Sequence, residues 1–287
     1  NKQTLQRYYW LTKPGIIYGN LLTAVGGFLL AARGSVDLGL LAAMAAGIAL
    51  VMASGCVFNN VMDRQLDAAM ARTKKRAMVT GTISTRNALV YGAVLGLAGL
   101  GMLVAWTTAL AAVVAAVGWV AYVLVYGWAK RAGWYGTIVG SISGAVPPVV
   151  GYTAVTGTLD AGAWLVFAVL VCWQMPHFYA IALFRLDDYK AAKVPVLPAV
   201  TSAGRTKEHI VGWIGAFMVA VALLWVLGYA GWVYLVVMLA LSLEWLRRAL
   251  AGFGTPDDTK WARGLFGFSL IVLTAWSVMI GTTAWLP

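Results

Sequence analysis

Asn59, Asp63 and Asp67 stand four residues apart at the end of a long apolar run, and Arg72, Lys74, Lys75 and Arg76 follow at once. Residues at i, i+4 and i+8 share one helix face with a slow drift, so three oxygen ligands can point into one cavity. Oxygen-only ligands suit a hard cation such as Mg²⁺, which keeps several waters and shares itself with substrate phosphates. Guanidinium and ammonium groups beside it suit a diphosphate. An ionised group near a membrane helix centre costs about 2.5–3.5 kcal/mol, less toward the interface, so chance rarely retains such a stripe. It reads as a metal–diphosphate site at the mouth of a membrane cavity. The competing reading is a local ion pair between Asp63 or Asp67 and Arg64 or Arg72. Arg72 and Arg76, themselves four apart, reach one diphosphate if their stretch is helical, while Lys74 and Lys75 also fit plain solvated charges.

A second polar stretch reads Phe184-Arg185-Leu186-Asp187-Asp188-Tyr189, then Lys190 and Lys193. Adjacent acids cannot face one site from a helix, so one of Asp187 and Asp188 is expected as a ligand and the other toward solvent. Asp188 lies eleven residues past His177. The two share a face, about 16 Å apart along the axis, if the helix runs on through both. His177, in Trp173-Gln174-Met175-Pro176-His177, is the only histidine in the interior of an apolar run, His209 standing at the start of one. An intramembrane ionisable group is a functional hypothesis by default: it can bind haem iron, hydrogen-bond a propionate or carry a proton. A satisfied packing histidine competes with these. Asn20 and Gln174, polar at membrane depth, read either as helix–helix hydrogen bonds or as cavity lining. His209, beside Glu208, reads as structural.

These residues need a membrane bundle to position them. Of 287 residues, 61% are hydrophobic and 11% charged, with mean hydropathy +0.81, which no soluble globular domain requires. Nine runs of about 20 apolar residues recur, at 15–32, 39–61, 87–106, 110–128, 135–155, 162–184, 209–228, 231–247 and 264–285. The expectation is an all-α polytopic membrane protein, one domain over 1–287, with nine transmembrane helices around a central cavity. The first run continues into a bundle and reads as a span, not a cleavable signal peptide. A net charge of +11 raises nucleic acid as a partner, but its distribution excludes it. With the N-terminus inside, nine spans put 20 of the 21 Lys and Arg on one side and only Arg33 on the other. That asymmetry marks the cytoplasmic face and leaves the C-terminus outside; anionic lipid of the bilayer accounts for part of the excess.

Two cytoplasmic loops, about 62–86 and 185–208, each follow an even-numbered span four helices apart. The spacing suggests a four-helix pseudo-repeat that brings one loop from each half together. Pro147 and Pro148, after the small residues Gly140 to Ala145, are expected to bend the fifth span. Cys56 and Cys172 read as packing residues, not a disulfide. The tryptophans near span ends read as an interfacial belt.

The stripe Asn59 to Asp67 with Arg72-Thr73-Lys74-Lys75-Arg76 resembles the first signature of the UbiA-type intramembrane prenyltransferases. The finer detail is similar to their haem-directed branch, the protohaem IX farnesyltransferases. Thr12 to Ile17, Ala53 to Asn60, Gly144 to Tyr152, Trp173 to His177 and Ile181 to Pro198 carry the likeness over nearly the whole chain. The resemblance implies a nine-helix bundle in a bacterial cytoplasmic (inner) membrane. It also implies Mg²⁺-dependent transfer of a farnesyl group from farnesyl diphosphate to a vinyl group of haem b, giving haem O. Haem A synthase and haem–copper oxidase assembly are the protein partners it points to. By the same resemblance, Asn59, Asp63, Asp67 and Asp188 hold Mg²⁺ on the diphosphate. Arg72 and Arg76, with Lys75 and Arg185, neutralise the leaving group, and His177 orients haem or manages a proton. Arg64, Lys74, Lys193, Asn20 and Gln174 complete the candidate substrate-binding set. The general family has a second motif D-x-x-x-D, of which this chain keeps Asp188 but carries Phe184 at the first position. The haem-directed branch shares that loss, and it leaves open one metal ion or two. A quinone or chlorophyll-type acceptor, and a cation transporter, are the alternatives; Phe184 counts against the first and the one-sided placement of ionisable groups against the second.

Overall fold

The computed structural model describes residues 2–287, with side chains from residue 3 onward. Among them there is no strand. A short helix α1 (Lys2–Leu11) leads into α2 (Pro14–Ala32) and α3 (Leu38–Met62), then one turn and a half of α4 (Arg64–Ala69) and the long α5 (Thr85–Trp106). The next crossing is α6 (Ala109–Val120), a π-helical segment over Ala121–Tyr126 and α7 (Gly127–Ala132). Two half-helices, α8 (Gly136–Gly144) and α9 (Val146–Thr156), make the fifth, and α10 (Ala161–Phe184) the sixth. After the short α11 (Leu186–Ala191) and α12 (Leu197–Val200) come α13 (Ala203–Val226), α14 (Trp232–Leu250) and α15 (Asp258–Thr282).

Inside hydrocarbon each backbone polar group must find a partner within the chain, which is why the crossings are helical. Their first turns are closed by side chains: Asp37, Ser84, Thr108, Asp160, Ser202 and Asp257 each accept a backbone N–H three residues on, relieving donors that have no helical acceptor. Eight helical stretches are long and apolar enough to cross a membrane. The remaining expected span is α14, a 19-residue helix with Glu244, Arg247 and Arg248 in its last turns. It runs from one end of the bundle to the other. At its start Val233 N donates to the Pro287 carbonyl (3.0 Å). At its far end Trp261 Nε1, near the start of α15, donates to the Arg248 carbonyl (2.8 Å).

The fifth crossing is interrupted at a single residue, Ala145, which itself stays in the right-handed region (φ −89°, ψ −4°). Its helix stops at Gly144, and Pro147 and Pro148 sit in the first turn of α9, where a missing N–H costs nothing. The largest core cluster joins α10, α13, α14 and α15 around Tyr179, Phe217, Trp245 and Trp276; a second joins α2, α3, α5, α6 and α9 around Phe28, Met44 and Leu103. Trp106, Trp164, Trp225, Trp232 and Trp285 are exposed at helix ends as a belt requires, whereas Trp245 and Trp276 are core. Cys56 and Cys172 are both free.

The two polar loops do meet. Met70, after α4, packs with Ala182, Ala192, Val194 and Val196, and Tyr189 lies against the same cluster. One end of the bundle therefore gathers the C-terminus of α3, the loop behind it, and the segment after α10.

Candidate functional site

Asp63 closes α3, and Asp67 falls in α4, one turn further on. Both are buried, at 9% and 5% exposure, as is Asn59 at 3%. Such carboxylates are tolerable only with compensating charge, and each has it. Asp63 Oδ2 accepts from Lys130 Nζ (2.5 Å) and Oδ1 from Arg131 Nη2 (3.0 Å). The Arg131 guanidinium also ties the Met62 carbonyl (2.8 Å). Arg76 Nη1 donates to both oxygens of Asp67 (2.9 and 2.8 Å) and reaches Asn60 Oδ1 (3.4 Å). Asn59 Oδ1 accepts from Lys13 Nζ (2.8 Å), leaving its Nδ2 buried without a partner.

The acids are thus ion-paired, but not with Arg64 or Arg72. Arg64, Arg72, Lys74 and Lys75 are exposed. The stretch 72–76 is a series of turns and not a helix, pinned where Thr73 Oγ1 donates to the Asp67 carbonyl (2.8 Å). That path, not a four-residue helical step, aims Arg76 inward and leaves Arg72 outside.

Lys13, Lys130, Arg131 and Asn60 belong to this cluster and were absent from the sequence-derived set. Lys13 adopts the left-handed region (φ 55°) just before Pro14, which excludes the helical region for it. Burial pushes its ammonium below the usual lysine range and Arg76 acts in the same sense, while Asp63 and Asp67 oppose them. A lysine held this way gains most from an incoming anion. A cavity of about 710 Å³, lined by Lys13, Asn60, Lys75, Arg76, Arg7 and Thr80 among others, opens beside it. The available signal was a lysine directly before the proline that opens the first apolar run, and a Lys-Arg pair ending the fourth run.

The second loop divides as expected for adjacent acids: Asp187 is exposed and Asp188 half-buried. Asp188 faces Arg185 at 4.0 Å. The shared face with His177 is not realised, because α10 ends at Phe184 and Arg185 turns the chain (φ −117°, ψ 20°) before α11. Nor, among the described residues, do three or more acids, histidines or cysteines come together as a ligand set. Lys193 is exposed in the left-handed region (φ 54°). Tyr189 is pushed above the usual tyrosine range by burial, which Arg72 opposes.

Gln174 is a helix–helix tie: its Nε2 donates to the carbonyls of Ser141 (2.9 Å) and Leu170 (3.0 Å). Asn20, half-buried, donates to the Ile16 carbonyl in its own helix (2.8 Å) and not to a neighbouring one. His177 lies between α10 and α15, stacked on Trp173 with ring centroids 4.6 Å apart and near Phe266 at 4.8 Å.

A buried oxygen stripe ringed by cations at one end of a helical bundle is the arrangement the sequence resemblance implied. The model of the UbiA prenyltransferase family matches residues 20–285. The chain belongs to the UbiA prenyltransferase family. It is a multi-pass membrane prenyltransferase, and the transporter alternative falls with that assignment. Among relatives of the UbiA chain, Protoheme IX farnesyltransferase 2 of Pseudomonas paraeruginosa is 54% identical over 277 residues, 96% of this chain and 94% of that one. Protoheme IX farnesyltransferase of Photorhabdus laumondii is 49% identical over 284 residues, 99% and 97%. Two solved structures share the fold at 15% identity. A structure described for digeranylgeranylglyceryl phosphate synthase has TM-score 0.79 over 98% of this chain and 99% of that one. A UbiA homologue from Archaeoglobus fulgidus bound to GPP and Mg²⁺ has TM-score 0.73 over 96% and 99%.

Proposed function

We propose that this UbiA enzyme transfers a farnesyl group from farnesyl diphosphate to a vinyl group of haem b, giving haem O and diphosphate. The observation that carries the reading is identity of about one half, over nearly the whole chain, to proteins named protoheme IX farnesyltransferase. The one-sided placement of Lys and Arg supports nine spans, counting α14, with the site at the cytoplasmic face of a bacterial inner membrane and the C-terminus outside.

Asn59, Asp63 and Asp67 fit Mg²⁺: the donors are oxygens, they are buried, and cationic nitrogens already stand against both carboxylates, where positive charge is stabilised. Asp188 joins them if the second loop closes. When bound, Mg²⁺ supplies charge neutralisation on the diphosphate oxygens. Lys130, Arg131 and Arg76 are then free to turn from the carboxylates to the leaving group, with Lys13 beneath and Arg72, Lys74, Lys75 and Arg185 at the mouth. Positioned charge of this kind in a low-dielectric site is usually the largest catalytic contribution. The allylic C–O bond breaks, its electron pair leaves with the diphosphate, and the vinyl π pair of haem forms the new C–C bond. The cation left beside the porphyrin ring takes up water, which loses a proton to become the hydroxyl.

The test is a pigment extract from membranes given haem b, farnesyl diphosphate and Mg²⁺. A product with the mass of haem b plus a farnesyl group and a hydroxyl, lost on chelation and restored by Mg²⁺, is expected. Prenylation of a quinone with haem unchanged would overturn the reading.

Lys130→Met separates the two tasks of the cation ring. It removes a competitor for Asp63 and a neutraliser of diphosphate while keeping the side-chain bulk. Turnover is expected to fall about 10- to 100-fold while half-saturation shifts to lower Mg²⁺. A titration of initial rate against Mg²⁺ reads both, and a shift to higher Mg²⁺ would contradict the exchange of partners.

A further inference from the structure

The α10–α15 seam carries a second constellation that the diphosphate site does not use. Ser269 Oγ stands 2.6 Å from the Phe266 carbonyl oxygen and 2.8 Å from His177 Nδ1. Two oxygens that close need a proton between them, and a hydroxyl has one to give. The hydroxyl therefore donates to Phe266, and its lone pair accepts from His177 Nδ1–H. The imidazole is held as the Nδ1–H tautomer, with a lone pair on Nε2. The Ser269 carbonyl accepts from Trp173 Nε1 (2.8 Å), so the indole stacked on the imidazole is tied to the same residue. His177 Nε2 has no hydrogen-bond partner among the described residues, yet is not sealed in as Tyr179 Oη is.

Toward the loop end the seam continues as aromatic rings and then as guanidinium groups. Phe266 meets Phe184 at 5.6 Å. Above Phe184 stand Arg263 (5.8 Å from its ring centroid) and Arg185 (5.5 Å). Arg263 forms no ion pair among the described residues. It lies six residues before Ser269 on α15, about 9 Å along the axis. A nitrogen lone pair, flat apolar walls and two arginines at that reach match one ligand chemistry: a planar metalloporphyrin whose carboxylates point to the cytoplasmic end.

We propose that this seam is the acceptor pocket, with His177 Nε2 as axial ligand of the haem b iron, Ser269 as the positioning residue that holds its tautomer, and Arg263 as a propionate anchor. The assignment rests on haem b being the acceptor. It also explains why Phe184 stands where the general family has an acid: a carboxylate there would repel the propionates that Arg185 and Arg263 attract.

The purified full-length protein titrated with haem b tests it. Wild type shows the optical spectrum of a histidine-ligated iron. His177→Ala loses that spectrum, and Ser269→Ala weakens haem binding about 10- to 100-fold, as loss of a ligand's supporting hydrogen bond does; Ser269→Thr, which keeps the hydroxyl, restores it. Arg263→Gln weakens haem b but not its dimethyl ester, whose propionates are uncharged. With only two histidines in the chain, ¹⁵N-histidine labelling of a His209→Gln variant reads the tautomer of His177 directly, and a proton on Nε2 would overturn the argument. Wild type that makes haem O while the His177 and Arg263 variants bind haem b unchanged sinks the pocket and leaves the reaction standing. Histidine-ligated haem that is never farnesylated sinks the reaction and leaves the pocket.

Discussion

Asp67→Asn lowers farnesyl transfer about 100- to 1,000-fold without emptying the membrane of protein. The carboxylate is 5% exposed and takes both its hydrogen bonds from one guanidinium nitrogen, so its charge is nearly all that compensates Arg76 inside the protein. Asparagine keeps the shape and one acceptor oxygen for Arg76, which protects the fold. It removes the negative charge that a hard cation needs, and loss of one preorganised electrostatic contact costs about 2.7–4 kcal/mol of barrier. High Mg²⁺ recovers part of the rate, since an amide oxygen is a weaker ligand and not an absent one. Diphosphate release and haem O mass, normalised to protein amount, measure it. Full activity at ordinary Mg²⁺ would remove Asp67 from the site. Asp63→Asn is expected to act in the same direction but to cost more stability, because Lys130 and Arg131 both lose their partner.

Gly151→Ala has the largest expected effect on the fold itself. A Cβ on Gly151 would overlap the Ala24 carbonyl oxygen, and one on Gly27 would overlap the Pro148 carbonyl. Helices α2 and α9 therefore touch backbone to backbone, and neither obstacle is a side chain that can swing away. Membrane helices pack through such small residues because lipid offers no hydrophobic drive between them. Close-packed interiors resist even one added methyl, so the helices must part, at a cost of about 3 kcal/mol. Because Lys13 directly precedes α2, which begins at Pro14, displacement of the helix also moves the lysine that holds Asn59. Purified Gly151→Ala is expected to unfold at lower denaturant and lower temperature, with activity lost in parallel. Gly212→Ala, where nothing lies within 4 Å, is the control. Equal stability of the two variants would refute the backbone contact.

Much of this was legible because it depends on short-range pattern. A run of 20 apolar residues must be helical and must stop where charges begin, so the ends of α2, α3, α5 and α10 fell within a few residues of the sequence reading. The N-x-x-x-D-x-x-x-D spacing placed three oxygens on one side of a helix end, and Asn59, Asp63 and Asp67 are indeed all buried there. Where a shared face depended on a helix running through a polar loop, the structure does not meet that condition. Arg72 and Arg76 separate because residues 72–76 are turns, and His177 and Asp188 separate because Arg185 ends α10. The prolines of the fifth crossing were noticed, but their position in the first turn of α9, where a missing N–H costs little, follows only once Ala145 is seen to end one helix and begin another.

The sequence alone determined that this chain is a multi-pass membrane protein and that Asn59, Asp63 and Asp67 lie together at the end of one apolar run, because hydropathy and helical period are properties of neighbouring residues. Only the tertiary structure decided which cations face those oxygens. Lys13 is 46 residues from Asn59, and Lys130 is 67 residues from Asp63. A buried carboxylate selects its counter-charge by proximity in space, and proximity between the ends of different helices is a result of packing that no local pattern records.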